Sequence, residues 1–94
     1  ILEQKLPAYG HFAPARRGSR LILELRQHGQ PEHVVLVLVS GDALDARYRD
    51  HALVGSWQGS RDCHIEPDWL LIYRKETEQL FLERTGSHSE LFKK

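Results

Sequence analysis

The sequence predicts an α+β fold: an N-terminal helical hairpin packed on an antiparallel β-sheet, with a short helix closing the chain. Three observations carry that prediction. The first half holds two stretches punctuated as helices, one stopped by Gly29 and one by Ser40-Gly41-Asp42. The second half changes to short apolar runs separated by turn signals, Glu66-Pro67-Asp68-Trp69 and Lys75 to Glu78. Last, Ser87 followed three residues later by Glu90 forms a capping box ahead of Leu91 and Phe92.

The elements follow in order. Ile1–Leu6 alternates weakly and reads as an edge strand limited by Pro7, because proline cannot donate to a ladder. Pro14 breaks any helix through Ala13. The first helix is expected over Ala15 to His28, with Leu21, Ile22 and Leu25 as its apolar stripe and Gly18 weakening its first half. Pro31 suits the first turn of a second helix and Glu32 its positive end. The run Val34 to Val39 reads as a buried strand by β-branched content, and periodicity cannot arbitrate where every position is apolar. The stop at Ser40-Gly41-Asp42 favours helix.

Ala43 to Leu53 reads as a polar connection. Strands are then expected over Trp57–Glu66, Trp69–Arg74 and Gln79–Thr85, with Gly86 ending the last. Pro67 sits at the first central position of a tight turn. Leu70 to Tyr73 are apolar on both faces, which places that strand centrally. The capping box puts His88 in the first turn of the terminal helix. Trp57 and Tyr73 read as core.

Composition bounds the function. Ninety-four residues make a single domain, residues 1–94, with 40% hydrophobic and 28% charged residues. No apolar run approaches the ~20 residues that span a bilayer, so no membrane partner is expected. Cys63 is the only cysteine, which excludes an internal disulfide and any cysteine-based zinc motif and fits the cytoplasm. It reads as a half-buried strand residue rather than a nucleophile. Net charge is zero, against nucleic-acid binding by bulk charge alone. Yet Lys5, Arg16, Arg17, Arg20 and Arg26 face a single acid, Glu24, over that stretch, so a local basic face is expected.

Chemistry concentrates between Tyr48 and Phe92. His51, His64 and His88 stand beside turn-forming or polar residues, not inside apolar runs. With Asp68 and Arg84 they form a set suited to moving protons and handling phosphate, since imidazole titrates near ~6.5 and guanidinium matches phosphate bidentately. Each has a plainer reading. His88 also fits a surface residue in a capped turn, Asp68 a turn aspartate bonding its own backbone, and His51 a solvated loop residue. Arg84 also fits a surface ion pair. Trp69 and Phe92 fit either base stacking or core packing, and Arg61 is a second candidate cation. Three histidines plus Asp68 can bind zinc in principle, but no close His pair such as HExxH exists, so no metal or other cofactor is expected.

Four blocks carry a family resemblance: Tyr48-Arg49-Asp50-His51-Ala52-Leu53; Gly55-Ser56-Trp57; Arg61-Asp62-Cys63-His64-Ile65-Glu66-Pro67-Asp68-Trp69-Leu70-Leu71-Ile72-Tyr73; and Arg84-Thr85-Gly86-Ser87-His88-Ser89-Glu90-Leu91-Phe92. In order and spacing they resemble the YafQ-like branch of the RelE/ParE toxin superfamily, over roughly the C-terminal half. The resemblance implies a RelE-like domain and a toxin of a type II toxin–antitoxin pair. It implies a ribosome-dependent endoribonuclease that cuts mRNA in the A site without metal, gripping rRNA and held inactive by a cognate antitoxin protein. The family's functional positions carry over to His51, His64, Asp68, Trp69, His88 and Phe92, with Arg84 as a phosphate contact. The same superfamily offers a second reading, a ParE-type toxin that poisons DNA gyrase by protein contacts and needs no histidine set. A third is an inactive regulatory homologue.

Overall fold

The computed structural model describes residues 11–14, 18–29, 31–76 and 79–92. Strand β1 (His11–Pro14) leads to helices α1 (Gly18–Arg26) and α2 (Pro31–Ser40). Strands β2 (His51–Ala52), β3 (Arg61–Glu66), β4 (Trp69–Lys75) and β5 (Gln79–Gly86) follow, and helix α3 (His88–Leu91) ends the chain. The sheet order is β1-β5-β4-β3-β2. From β2 to β5 every pairing is antiparallel; β1 adds a parallel edge against β5, from His11 opposite Gln79 to Pro14 opposite Leu82.

The valine-rich run is a helix. Val34 and Leu38, four residues apart, are fully buried, while Leu36 faces outward at 68% exposure. A strand would have turned alternate residues inward; the helix instead makes one stripe with Pro31, Val34 and Leu38. Gly41 stops it with φ +82°. Leu21 and Leu25 of α1 join the same core, over Cys63, Leu71, Tyr73, Leu80 and Leu82 of the sheet. The side chain of Ile22, and residues 15–17 at the start of the expected first helix, lie outside the described residues, as does the expected strand Ile1–Leu6.

Gly29 joins α1 to the sheet. Its φ is +57°, and a Cβ there would stand 3.1 Å from the Ile65 carbonyl oxygen and 3.2 Å from Ile65 Cγ2. Only glycine fits both the left-handed backbone and the close approach. Its N–H donates to Glu66 Oε2 at 3.1 Å, and Glu66 Oε1 lies 2.7 Å from His28 Nδ1.

Two expectations change. The strand expected from Trp57 starts only at Arg61, because Gly55–Trp57 is a 3₁₀ turn that begins on a left-handed glycine, Gly55 at φ +68°, and is followed by another, Gly59 at +96°. The connection Ala43 to Leu53 is more ordered than its polarity suggested: it holds a 3₁₀ turn (Ala46–Tyr48) and the short strand β2. The tight turn at Pro67-Asp68 and the capping box of α3 stand as expected, with Ser87 accepting from Glu90 N and Glu90 accepting from Ser87 N.

The other face of the sheet is smaller and more polar. There Leu70 and Ile72 are fully buried beneath Leu91, with Leu53, Trp57 and Phe92 packed around them. This face carries the site.

Candidate functional site

Sheet register explains how distant residues meet. His64 on β3 pairs with Leu70, and Leu70 pairs with Gly86 on β5. Directly paired residues share a face, so the chain leaving Gly86 emerges beside His64. Ser87 then caps α3, and His88 is its first residue. The two imidazole rings lie 5.1 Å apart, edge to face. A second row runs His51–Asp62–Ile72–Arg84 across four strands. His51, Asp62 and His64 therefore project on one face, with Arg84 exposed at the far end of the row.

His88 and His51 each have an anchor of their own. Asp68, in the β3–β4 turn, accepts from the His88 backbone N–H at 3.0 Å and lies 2.5 Å from its Nδ1. Those two bonds, the backbone one first, hold the Asp68 carboxyl below the usual carboxylate range. His51 Nδ1 lies 2.8 Å from the Arg49 carbonyl and 3.1 Å from Asp62 Oδ1. The carbonyl takes the ring N–H, and Asp62 Oδ1 is buried without a hydrogen bond although it sits against the ring.

Asp62 is 2% exposed. Burial pushes its carboxyl above the ordinary value, opposed by the nearby His51, His64 and His88. His64 moves the other way: burial and then the charge of His88 hold its pKa below 6.5, while Asp62 pulls it back up. The face thus centres on a buried carboxylate under three imidazoles. Nothing singled out Asp62 in the sequence, yet the signal was present. Strand alternation puts residue 62 on the same face as residue 64, so Asp62-Cys63-His64 reads polar, apolar, polar.

Two clefts open on either side of the His64–His88 pair, and both are lined by these two residues. One continues over Arg47, Tyr48, Arg49, Ile65, Glu66 and Pro67. The other continues over His51, Leu53, Asp62, Ser89 and Phe92.

Of the residues picked from sequence, His51, His64, Asp68, His88 and Phe92 come together. Four do not line the clefts: Asp68, which stands behind His88, and Arg61, Trp69 and Arg84. Arg61 pairs opposite Tyr73, and both bind Asp50, with Arg61 Nε 3.2 Å from Asp50 Oδ1. Trp69 stacks flat on His28 with ring centroids 3.7 Å apart, packing the turn onto α1. Arg84 shares the face, where its charge helps to hold Glu90 below the usual range, after the Ser87 hydrogen bonds. Cys63 is fully buried, and burial pushes its thiol far above its ordinary pKa, so it is no nucleophile. Among the described residues no group of three or more His, Cys, Asp or Glu side chains is placed to hold a metal ion. No helix among them is long and apolar enough to cross a membrane.

The mRNA interferase toxin YafQ of Escherichia coli K12 is 57% identical over 49 residues, 52% of this chain and 53% of that protein. The chain thus spans about half the length of the curated relatives it matches. In three dimensions it resembles the E. coli DinJ-YafQ toxin-antitoxin complex structure, with TM-score 0.73 and 36% identity over 86% of this chain and 94% of that one. It also resembles a copper-bound mutant toxin from Helicobacter pylori, with TM-score 0.77 and 36% identity over 87% and 98%. Residues 19–93 match the family described as the bacterial toxin of type II toxin-antitoxin systems, YafQ, and the chain belongs to that family.

Proposed function

We propose that this protein is an mRNA endoribonuclease toxin, active on the ribosome and restrained by a cognate antitoxin, that cuts by metal-free acid–base chemistry. The observation that carries the reading is the His64–His88 pair, 5.1 Å apart with Asp68 behind His88. The activity named for the E. coli relative and the antitoxin seen with a homologous fold support it. Ribosome dependence rests on the family resemblance and on the arginines of the N-terminal segment.

RNA supplies its own nucleophile. A base takes the 2′-hydroxyl proton, the oxygen attacks phosphorus, and the bond to the 5′-oxygen breaks as an acid protonates it. The products are a 2′,3′-cyclic phosphate and a 5′-hydroxyl. His64, held neutral by burial and by its neighbour's charge, is the base. His88 is the acid. Asp68 engages its Nδ1 and leaves Nε2 to deliver the proton, the orienting role a carboxylate plays in other His-based sites. His51, fixed by the Arg49 carbonyl, bonds the substrate on the far side of His64. Arg84, exposed on the same face, offers charge to the phosphate. Phe92 stacks on a base. Arg61 and Trp69 are engaged by Asp50 and His28 instead.

The test is expression of the wild type and His88→Ala in bacteria, with mRNA ends mapped inside coding regions. In-frame cuts that vanish in the variant support the proposal. Growth arrest with no new mRNA ends, unchanged in the variant, sinks it.

A further inference from the structure

A phosphodiester seated on the His64–His88 pair must lay one neighbouring nucleotide on each side of it. The side containing Phe92 and Leu53 offers an apolar wall to a base. The opposite cleft, about 680 Å³ and of a size that holds a small ligand (~300–1,000 Å³), has a different chemistry. It presents two arginines. Among the described residues that line it the one carboxylate, Glu66, is already engaged by His28 and by the Gly29 N–H. Its surface is therefore cationic.

The two arginines are held differently. The Arg47 guanidinium lies over the Tyr48 ring, 4.9 Å from its centroid, and donates to the Tyr48 hydroxyl at 2.9 Å. A planar cation backed by an aromatic ring is a stacking plate for a base. Arg49 has φ +51°, the one described non-glycine residue in the left-handed region. The turn is locked on both sides: Asp45 accepts from Arg47 N at 2.9 Å, Arg49 N donates to the Ala46 carbonyl, and the Arg49 carbonyl meets His51. Backbone strain of this kind gathers at ligand sites. No carboxylate among the described residues pairs with Arg49, so its guanidinium is available to a ligand.

We infer that this cleft is a nucleotide subsite, in which Arg49 takes the phosphate adjoining the scissile one and the Arg47 guanidinium stacks on the attached base. The inference rests on the endoribonuclease reading and adds to it a second contact region along the RNA. It assigns substrate binding, not chemistry, to the turn that also fixes His51.

The test uses a short single-stranded RNA carrying a 2′-O-methyl group at the cleavage position, which cannot be cut. Its affinity for the purified protein is measured by fluorescence anisotropy across a range of salt. Arg49→Gln is expected to weaken binding about tenfold and to lower the slope of log K against log salt by about 0.7, one phosphate contact on a single strand. Arg49→Gly, which relaxes the left-handed backbone while removing the cation, should do the same. Arg47→Lys keeps the charge but loses the flat plate, so it should weaken binding several-fold with the slope unchanged. Wild-type affinity and slope in both Arg49 variants overturn the subsite while leaving the cleavage reading intact. A wild-type protein that neither binds this RNA nor generates mRNA ends in cells sinks both.

Discussion

Asp68 Oδ1 receives two donors from one residue: the backbone N–H of His88 at 3.0 Å and its ring Nδ1 at 2.5 Å. One contact fixes where α3 begins and the other fixes how the ring is turned. Asp68→Asn removes the charge yet keeps an oxygen that can accept the backbone N–H. The variant should fold, with kcat for mRNA cleavage down by roughly 10²-fold and KM little changed. Cleavage kinetics beside a thermal melt check this. A fall in melting temperature that accounts for the lost activity would mean that Asp68 only holds α3. The stability linked to Asp68 has a definite sign. Its folded pKa lies below the ordinary value, so the contribution is full above about 3.9 and is lost as pH falls through the folded value.

His64 predicts the pH profile. Burial and the His88 charge hold its pKa below 6.5. A base that must be neutral gives an acid limb of kcat/KM falling below the ordinary imidazole midpoint of ~6.5. The linked stability is fully present above the unfolded value and is lost as pH falls toward the folded one. NMR titration of the His64 ring in the intact protein should give the same midpoint as the kinetics. A kinetic limb above 6.5 would assign the base to another group.

Asp62 is the counterweight to that shift. It raises the His64 pKa while burial and His88 lower it. Asp62→Asn should therefore move both the His64 midpoint and the acid limb to lower pH, in step. In the wild type, the Asp62 carboxyl should itself titrate above the ordinary carboxylate value. If the His64 midpoint stays put in the variant, the buried carboxylate does not act on the imidazoles.

Much of this site was legible in the sequence, and the exceptions have physical causes. The capping box named α3 and put His88 on its first turn, because Ser87 and Glu90 satisfy each other locally. The turn at Pro67-Asp68 was equally local. Val34 to Val39 was ambiguous because helix and strand differ only in which residues face inward, and that depends on the sheet beneath. Trp57 reads as strand in the sequence because the left-handed glycines on either side of it leave no hydrophobic trace. Trp69 and Arg61 carried the chemistry expected of a binding surface, but their partners His28 and Asp50 lie far off in sequence. Arg49 is one charge among several in a polar loop. Its backbone conformation, which distinguishes it, has no signature in residue type.

Leu91 shows how little holds the second imidazole in place. Helix α3 has four residues, too short to stand alone, so it depends on its cap, on the Asp68 contacts and on one buried side chain. Leu91 is 6% exposed and packs on Leu70 and Ile72; a Cβ at Gly86 would lie 3.2 Å from Leu91 Cδ2. Leu91→Ala opens a cavity between helix and sheet and should cost about 2–5 kcal/mol, the usual range for a buried leucine. Because His88 sits three residues before the lost anchor, catalysis should fall further than the folded fraction at 25 °C explains. Leu91→Met, nearly equal in volume, should lose less than about 1.5 kcal/mol and recover most of the rate. Denaturant melts and cleavage rates on the same samples separate the two effects. Leu91→Ala protein that is fully folded at the assay temperature and cuts at the wild-type rate would show that the Asp68 contacts alone position His88.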